Sequence, residues 1–180
     1  MTNRPLPGAV PFVWYDGPMR RPLIIGLIVI VVVLGVLELT YFRFHTYLLS
    51  TEVQETLPPM PSDAPAAMQP RTLASGAFGE VDFVHKGSGT ARIVEQDGVR
   101  YLRLENFEVT NGPDLFVYLA EGDAPTSAPS SLGGYADLGP LKGNRGNLTY
   151  EIAAGTPETY TTAVIWCKEF GVLFSFAVMR

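Results

Sequence analysis

Few residues in this chain can carry sulfur or imidazole chemistry. The 180 residues include one cysteine, Cys167, and two histidines, His45 and His85. A single cysteine excludes a disulfide within the chain and a cysteine-rich zinc site. The sequence has no Cys-x-x-Cys-His motif, which also excludes a covalent c-type haem. The chemistry that remains is that of one thiol, with an imidazole as its candidate partner.

Cys167 can be interpreted in two ways. On its predicted strand it shares a face with Ala163 and Ile165, whereas Val164 and Trp166 face the other way. Both faces are apolar, which indicates a central strand and a buried thiol. Such a cysteine either packs as a small apolar side chain, or serves as a redox thiol or as an axial ligand of non-covalently bound haem. Both interpretations stay open at this point.

The other candidate residues lie in loops. His85 precedes a glycine-rich turn and is interpreted either as a second haem ligand or proton partner of Cys167, or as an exposed loop histidine. The segment 111–114 (Asn-Gly-Pro-Asp) is typical of a tight turn, with a cation site as the alternative. The segment 141–146 (Leu-Lys-Gly-Asn-Arg-Gly) indicates a glycine-rich turn, with a backbone anion nest as the alternative. His45 is not expected to be catalytic.

Residues 71–180 must supply the elements that position these side chains. Short segments rich in β-formers recur there, and Asp97-Gly98 between two of them predicts a two-residue hairpin. The predicted strands are 72–78, 90–95, 99–107, 114–120, 148–152, 160–167 and 172–178. This pattern predicts an all-β domain, an antiparallel β-sandwich of about seven to nine strands.

The N-terminal part has a different character. Residues 23–42 begin with an unbroken apolar run, which predicts one transmembrane signal-anchor helix before the β-sandwich. Arg4, Arg20 and Arg21 precede this run, so the positive-inside rule predicts a cytoplasmic N-terminus, residues 1–22. Residues 43–70 are predicted to form a juxtamembrane and proline-rich linker, in which residues 43–57 could extend the helix. The chain is therefore expected to be a single-pass cell-membrane protein with an extracytoplasmic domain.

Charge and composition narrow the function further. The chain has 13 basic and 18 acidic residues, and its formal net charge of −5 argues against nucleic-acid binding. No nucleophile elbow or paired-carboxylate pattern can be identified, so hydrolytic catalysis has no support. Whether the protein is an enzyme stays undecided.

Three blocks of sequence, in this order, resemble the DM13 domain, a small extracytoplasmic β module. They are LENFEVTNGPDLFVYL at 104–119, LGPLKGNRGNLTYEI at 138–152 and VIWCKEFGVLFSFAV at 164–178. The opening block SGAFGEVDFVHKGSGTARI at 75–93 fits as well, so the resemblance covers nearly all of 71–180. Because of its characteristic cysteine, the family has been associated with electron transfer or oxidative chemistry at cell surfaces.

This resemblance implies a membrane-tethered electron-transfer module in which Cys167 carries the chemistry and His85 is its candidate partner. The cofactor is unknown, with non-covalent haem as one option, and the expected partner is a redox or cell-envelope protein. The alternative is a non-enzymatic binding or structural module at the cell surface, in which Cys167 only packs in the core.

Overall fold

The structure, a computed structural model, describes residues 20–37, 50–61 and 63–180. The chain divides into two compact units, Met1–Phe42 and Arg43–Arg180. In the first unit the described residues form one helix, α1 (Arg20–Leu37), whose apolar side chains are exposed along its length.

Among the described residues, no helix is both long enough and apolar enough to cross a membrane. The predicted transmembrane helix over 23–42 is therefore not supported by the structure. The described helix covers Arg20–Leu37, and residues 38–42 of the predicted span lie outside the described part of the chain.

The second unit is built from two β-sheets, and the part of it that the structure describes contains nine strands. The strands are β1 (Glu52–Gln54), β2 (Arg71–Ala77), β3 (Gly87–Gln96), β4 (Val99–Val109), β5 (Leu115–Ala120), β6 (Tyr135–Pro140), β7 (Arg145–Ile152), β8 (Thr162–Cys167) and β9 (Val172–Val178). One sheet has the order β1-β7-β4-β3-β2 and the other has the order β6-β5-β8-β9. Only the β1–β7 pair is parallel among these. The predicted sandwich of antiparallel strands is confirmed.

Local sequence explains the turns and the alternation of the strands. Asp97 and Gly98 both have positive φ, 51° and 75°, as the tight hairpin between β3 and β4 requires. Along β7, buried and more exposed residues alternate, since one face points into the core. The predicted hairpin is confirmed at the predicted residues.

The main core lies between the two sheets and takes side chains from both. A second apolar cluster, which includes Val164 and Trp166, lies on the opposite face of the second sheet. Strand β8 is buried at every position because it has neighbours on both sides and apolar packing on both faces. Its central position is the one that its sequence predicts.

The segment before the predicted domain also belongs to the second unit. Residues 52–54 form strand β1, where the sequence allowed a helical extension. Further on, Pro58 O accepts a hydrogen bond from Gln96 Nε2 at 2.8 Å, and Met68 O accepts one from Asp97 N at 3.2 Å. The described residues from Ser50 onward therefore contact the β-sheets, where the sequence predicts a linker.

Candidate functional site

Cys167 is the last residue of β8 and has no exposed surface. Its register partners are Leu115 on β5 and Val172 on β9. The side chain belongs to the main core together with Leu115 and Phe174. The expectation of a buried thiol is met, and burial alone is compatible with both interpretations of Cys167.

The sulfur has polar neighbours in addition to its apolar ones. Burial raises the pKa of the Cys167 thiol, since a thiolate is poorly solvated there. Hydrogen bonds from the backbones of Phe170, Asp114 and Glu169 act in the opposite direction and lower this pKa in part. The net direction is upward, so the group is a protonated thiol at neutral pH. Glu169 and Phe170 belong to the turn that follows β8, so these contacts follow from the position of Cys167 at the strand end.

The turn after β8 is joined to the start of β5. Lys168 N donates to Asp114 O at 3.0 Å, which holds the two ends together beside the sulfur. The Lys168 ammonium lies 2.6 Å from Asp137 Oδ2 and 3.7 Å from the centroid of the Phe116 ring. These ionic and cation–π contacts fix the residue that follows the cysteine. These contacts of Lys168 could not be predicted from the sequence, although Lys168 lies in the block at 164–178.

The three most specific blocks of the sequence meet at this end of the sandwich. Gly112, in the first block, lies so close to Leu115 and Phe174 that a Cβ atom would contact both side chains at about 2.8 Å. In the second block, Leu141 N donates to Leu115 O at 2.8 Å. The third block contains Cys167, whose register partner is also Leu115. Residues far apart in sequence thus surround one strand end and its thiol.

His85 lies elsewhere on the same side of the core. Its Nδ1 is 2.7 Å from Asp82 Oδ2, and its ring contacts the Phe174 ring edge-on at 4.5 Å between centroids. The hydrogen bond from His85 is the main reason why the pKa of Asp82 falls to about 2. His85 is not among the groups that shift the pKa of Cys167. Phe174, whose ring contacts His85, belongs to the same core cluster as Cys167.

The surroundings of Cys167 do not fit a haem bound through its sulfur. An axial thiolate needs a porphyrin face against the sulfur, but Cys167 is completely enclosed by packed residues. Among residues 20–37, 50–61 and 63–180, no group of three or more His, Cys, Asp or Glu side chains is arranged to hold a metal ion. The function proposed for Cys167 therefore involves neither a haem nor a metal ion.

The glycine-rich segment 141–146 contains a turn, and its Lys142 binds Glu55. Glu55 accepts hydrogen bonds from Lys142 Nζ at 3.0 Å and from Thr149 N at 2.8 Å. Burial opposes the ionisation of Glu55, but these hydrogen bonds and the nearby Arg103 outweigh it, so the pKa of Glu55 is lower than usual. These contacts could not be predicted from the sequence, because Lys142 and Thr149 are 87 and 94 residues away from Glu55.

The fold and the site together define a class of protein: a small two-sheet β domain with one buried cysteine at the end of a central strand. A family model described as Electron transfer DM13 matches residues 78–179, more than half of the chain. The chain therefore belongs to the DM13 family, and the resemblance carried by its sequence blocks is confirmed. Neither a curated protein nor a solved structure matches it.

Proposed function

We propose that this protein is an electron-transfer module and that Cys167 is its redox-active group. Membership of a family described by electron transfer supports the first part. The observation that carries the second part is the place of Cys167 at the end of β8, where the 111–114 turn, the 141–146 segment and the turn after β8 meet. The backbones of Phe170, Asp114 and Glu169 favour the thiolate there, and hydrogen bonds to sulfur are one of the means by which proteins tune the potential of sulfur-containing redox centres.

A second candidate function is a binding or structural module in which Cys167 is packing alone. Its complete burial and its raised pKa favour this alternative, because a protonated, enclosed thiol is a poor nucleophile. The two functions differ in what the thiol contributes beyond stability. Cys167→Ser, which replaces the sulfur by an oxygen at nearly the same position, distinguishes the two candidate functions.

The experiment compares redox titrations of the full chain, purified from the cells that make it, as wild type, Cys167→Ser and Ile165→Val. Ile165 lies on the same strand and the same core face as Cys167, so I165V is the matched control for a small packing loss. C167S is expected to lose about 1–2 kcal/mol of stability in urea, and I165V about 0.5–1.5 kcal/mol. In a thiol–disulfide buffer (RSH/RSSR) we expect wild type and I165V to show a reversible transition, Cys167–SH + RSSR ⇌ Cys167–S–SR + RSH, and C167S to lack it. Retention of the transition in folded C167S would favour the packing role.

For its location, we propose that the β domain works outside the cytoplasm, at the cell membrane. The arginines before residue 23 and the apolar side chains after it support this place. In this proposal its electron partner is a protein of the cell envelope.

A further inference from the structure

The turn that follows β8, residues 168–171, lies directly over the Cys167 sulfur. Cys167 is completely buried, whereas Lys168, Glu169 and Phe170 are exposed. Two of the three backbone groups at the sulfur, those of Glu169 and Phe170, belong to this turn. The backbone of an exposed turn is therefore what covers the thiol on this side.

The turn closes a hairpin whose end is set apart from the rest of its ladder. Cys167 and Val172 form the last register pair of β8 and β9, and the register shifts between Ile165 and Trp166. A shift of this kind disrupts the ladder locally and is frequent next to active sites. Gly171, in the turn, has a φ of +63° and open space on the side where a Cβ atom would lie. The turn can therefore move while the regular part of the ladder stays paired.

Lys168 joins this turn to the two neighbouring strands of the same sheet. Its backbone N donates to Asp114 O, just before β5, at 3.0 Å. Its ammonium lies 2.6 Å from Asp137 Oδ2 on β6 and 3.7 Å from the centroid of the Phe116 ring on β5. The side-chain contacts of one residue thus hold the turn closed over the thiol.

These side-chain contacts are weak compared with the packing of the strands around them. The side chains of Lys168 and Asp137 are 40% and 38% exposed. Ion pairs with this exposure contribute little to stability, because water screens them and two flexible side chains must be held in one geometry. Opening the turn therefore costs much less free energy than unfolding β5 and β8, whose side chains fill the core. Local opening is the least costly route by which another molecule reaches the sulfur.

We propose that residues 168–171 are a lid over Cys167, that the Lys168–Asp137 pair is its latch, and that opening of the lid admits a small disulfide to the thiol. This inference rests on the proposed function, since a redox role requires the sulfur to meet its reactant. The Cys167 sulfur attacks one sulfur of RSSR, the S–S bond breaks, and the leaving RS⁻ takes up the thiol proton as RSH. Lys168 and Asp137 are positioning residues in this step, because they control access and do not react.

The test measures how fast the folded full chain reacts with dithiobis(nitrobenzoate), an anionic disulfide that releases one coloured thiolate per cysteine. Lys168→Met removes the ion pair and the cation–π contact, so we expect K168M to react about fivefold faster than wild type. Loss of a positive charge alone would slow the reaction with an anion, so a faster reaction reports the lid. The matched control is Arg71→Met, which breaks the 2.7 Å pair with Glu95 on the other sheet and should react like wild type.

A second measurement on wild type alone follows the same rate at urea concentrations below the unfolding transition. Local opening exposes little surface, so the rate should stay nearly constant there. A rate that rises with urea in proportion to the globally unfolded fraction overturns the lid, and an equal or lower rate in folded K168M overturns the latch. Both measurements report access to the thiol whether or not Cys167 has a redox role. The titration that compares wild type with C167S tests that role, so the two proposals fail separately.

Discussion

At the scale of single residues, the Cys167 sulfur combines an apolar enclosure with three backbone hydrogen bonds. The enclosure keeps the thiol protonated and away from solvent, whereas the hydrogen bonds favour the thiolate. Glu169 and Phe170 belong to the turn that follows β8, so part of this contact follows from the position of Cys167 at the strand end. The redox role of Cys167 stays a proposal.

The Asp82–His85 pair allows a prediction at the same scale. The pKa of Asp82 is about 2, below its ordinary value of 3.8, with the His85 side chain as the largest cause. The pair therefore stabilises the folded state above pH 3.8, and this contribution is lost as the pH falls through about 2. In His85→Gln we expect the pKa of Asp82 to rise toward 3.8, as measured by NMR of the side-chain carboxyl carbon.

The matched control for H85Q is Lys86→Gln, which removes the next charge along the chain. Lys86 pairs with Glu80 and is not among the causes of the Asp82 shift, so K86Q should leave the titration unchanged. A pKa that stays at about 2 in H85Q would show that the backbone N–H groups of Val84 and His85 alone hold this carboxylate.

The sequence predicted part of this residue-scale picture. The parity of residues 163–167 and the apolar character of both faces predicted the burial of Cys167 correctly. The backbone contacts to its sulfur could not be predicted, because they depend on how the turn at 168–171 meets residue 114. The partner of His85 was missed as well, since the conformation of the 81–85 loop decides it. The redox roles given to Cys167 and His85 stay predictions.

At the scale of elements, the close approach of β1 to β7 depends on Gly146. This glycine has a φ of +115° and lies against the carbonyl of Val53, so Gly146→Ala should displace β1. We expect a loss of about 1–2 kcal/mol from backbone strain and a further loss from the collision. Hydrogen exchange should show lower protection of residues 52–55, with β3 and β4 unaffected.

Gly139→Ala is the matched control for that substitution. Gly139 has a φ of +106° but open space around it, so the backbone strain is similar and the collision is absent. We expect a similar loss from strain in urea unfolding and normal protection of residues 52–55. Equal protection in G146A and G139A would mean that the approach of β1 does not need a glycine.

A comparison of predicted and observed strands shows which elements could be predicted from the sequence. Seven predicted strands correspond to observed ones because each has local β-formers and turn residues at its ends. Strand β6 (YADLGP) was missed because it carries aspartate, glycine and proline, which β-propensity disfavours. Strand β1 was missed because its pairing with β7 joins residues more than 90 positions apart, and no local pattern reports that.

At the scale of the whole molecule, the location of the β domain can be tested with a single introduced thiol. Phe83 is 87% exposed, whereas Cys167 is completely buried. With a membrane-impermeant maleimide on intact cells, we expect Phe83→Cys to be labelled and wild type to remain unlabelled. Labelling of F83C only after lysis would contradict an extracytoplasmic domain.

The organisation of the whole molecule could be predicted only in outline. Composition and strand pattern predicted a β-sandwich after an apolar segment, and the residue blocks indicated its family. The prolines between residues 58 and 70 did not predict where the linker ends and the domain begins. That boundary depends on hydrogen bonds from Gln96 and Asp97, on the β3–β4 hairpin, to Pro58 O and Met68 O, and these form only in the folded state. The division into four segments stays a prediction.

The most direct test of the central claim is the redox titration of the full chain in which wild type is compared with Cys167→Ser. The claim predicts a reversible transition in wild type that is absent in folded C167S and present in the packing control I165V. The same transition in folded C167S and wild type would contradict a redox role for Cys167 and leave the thiol as part of the core.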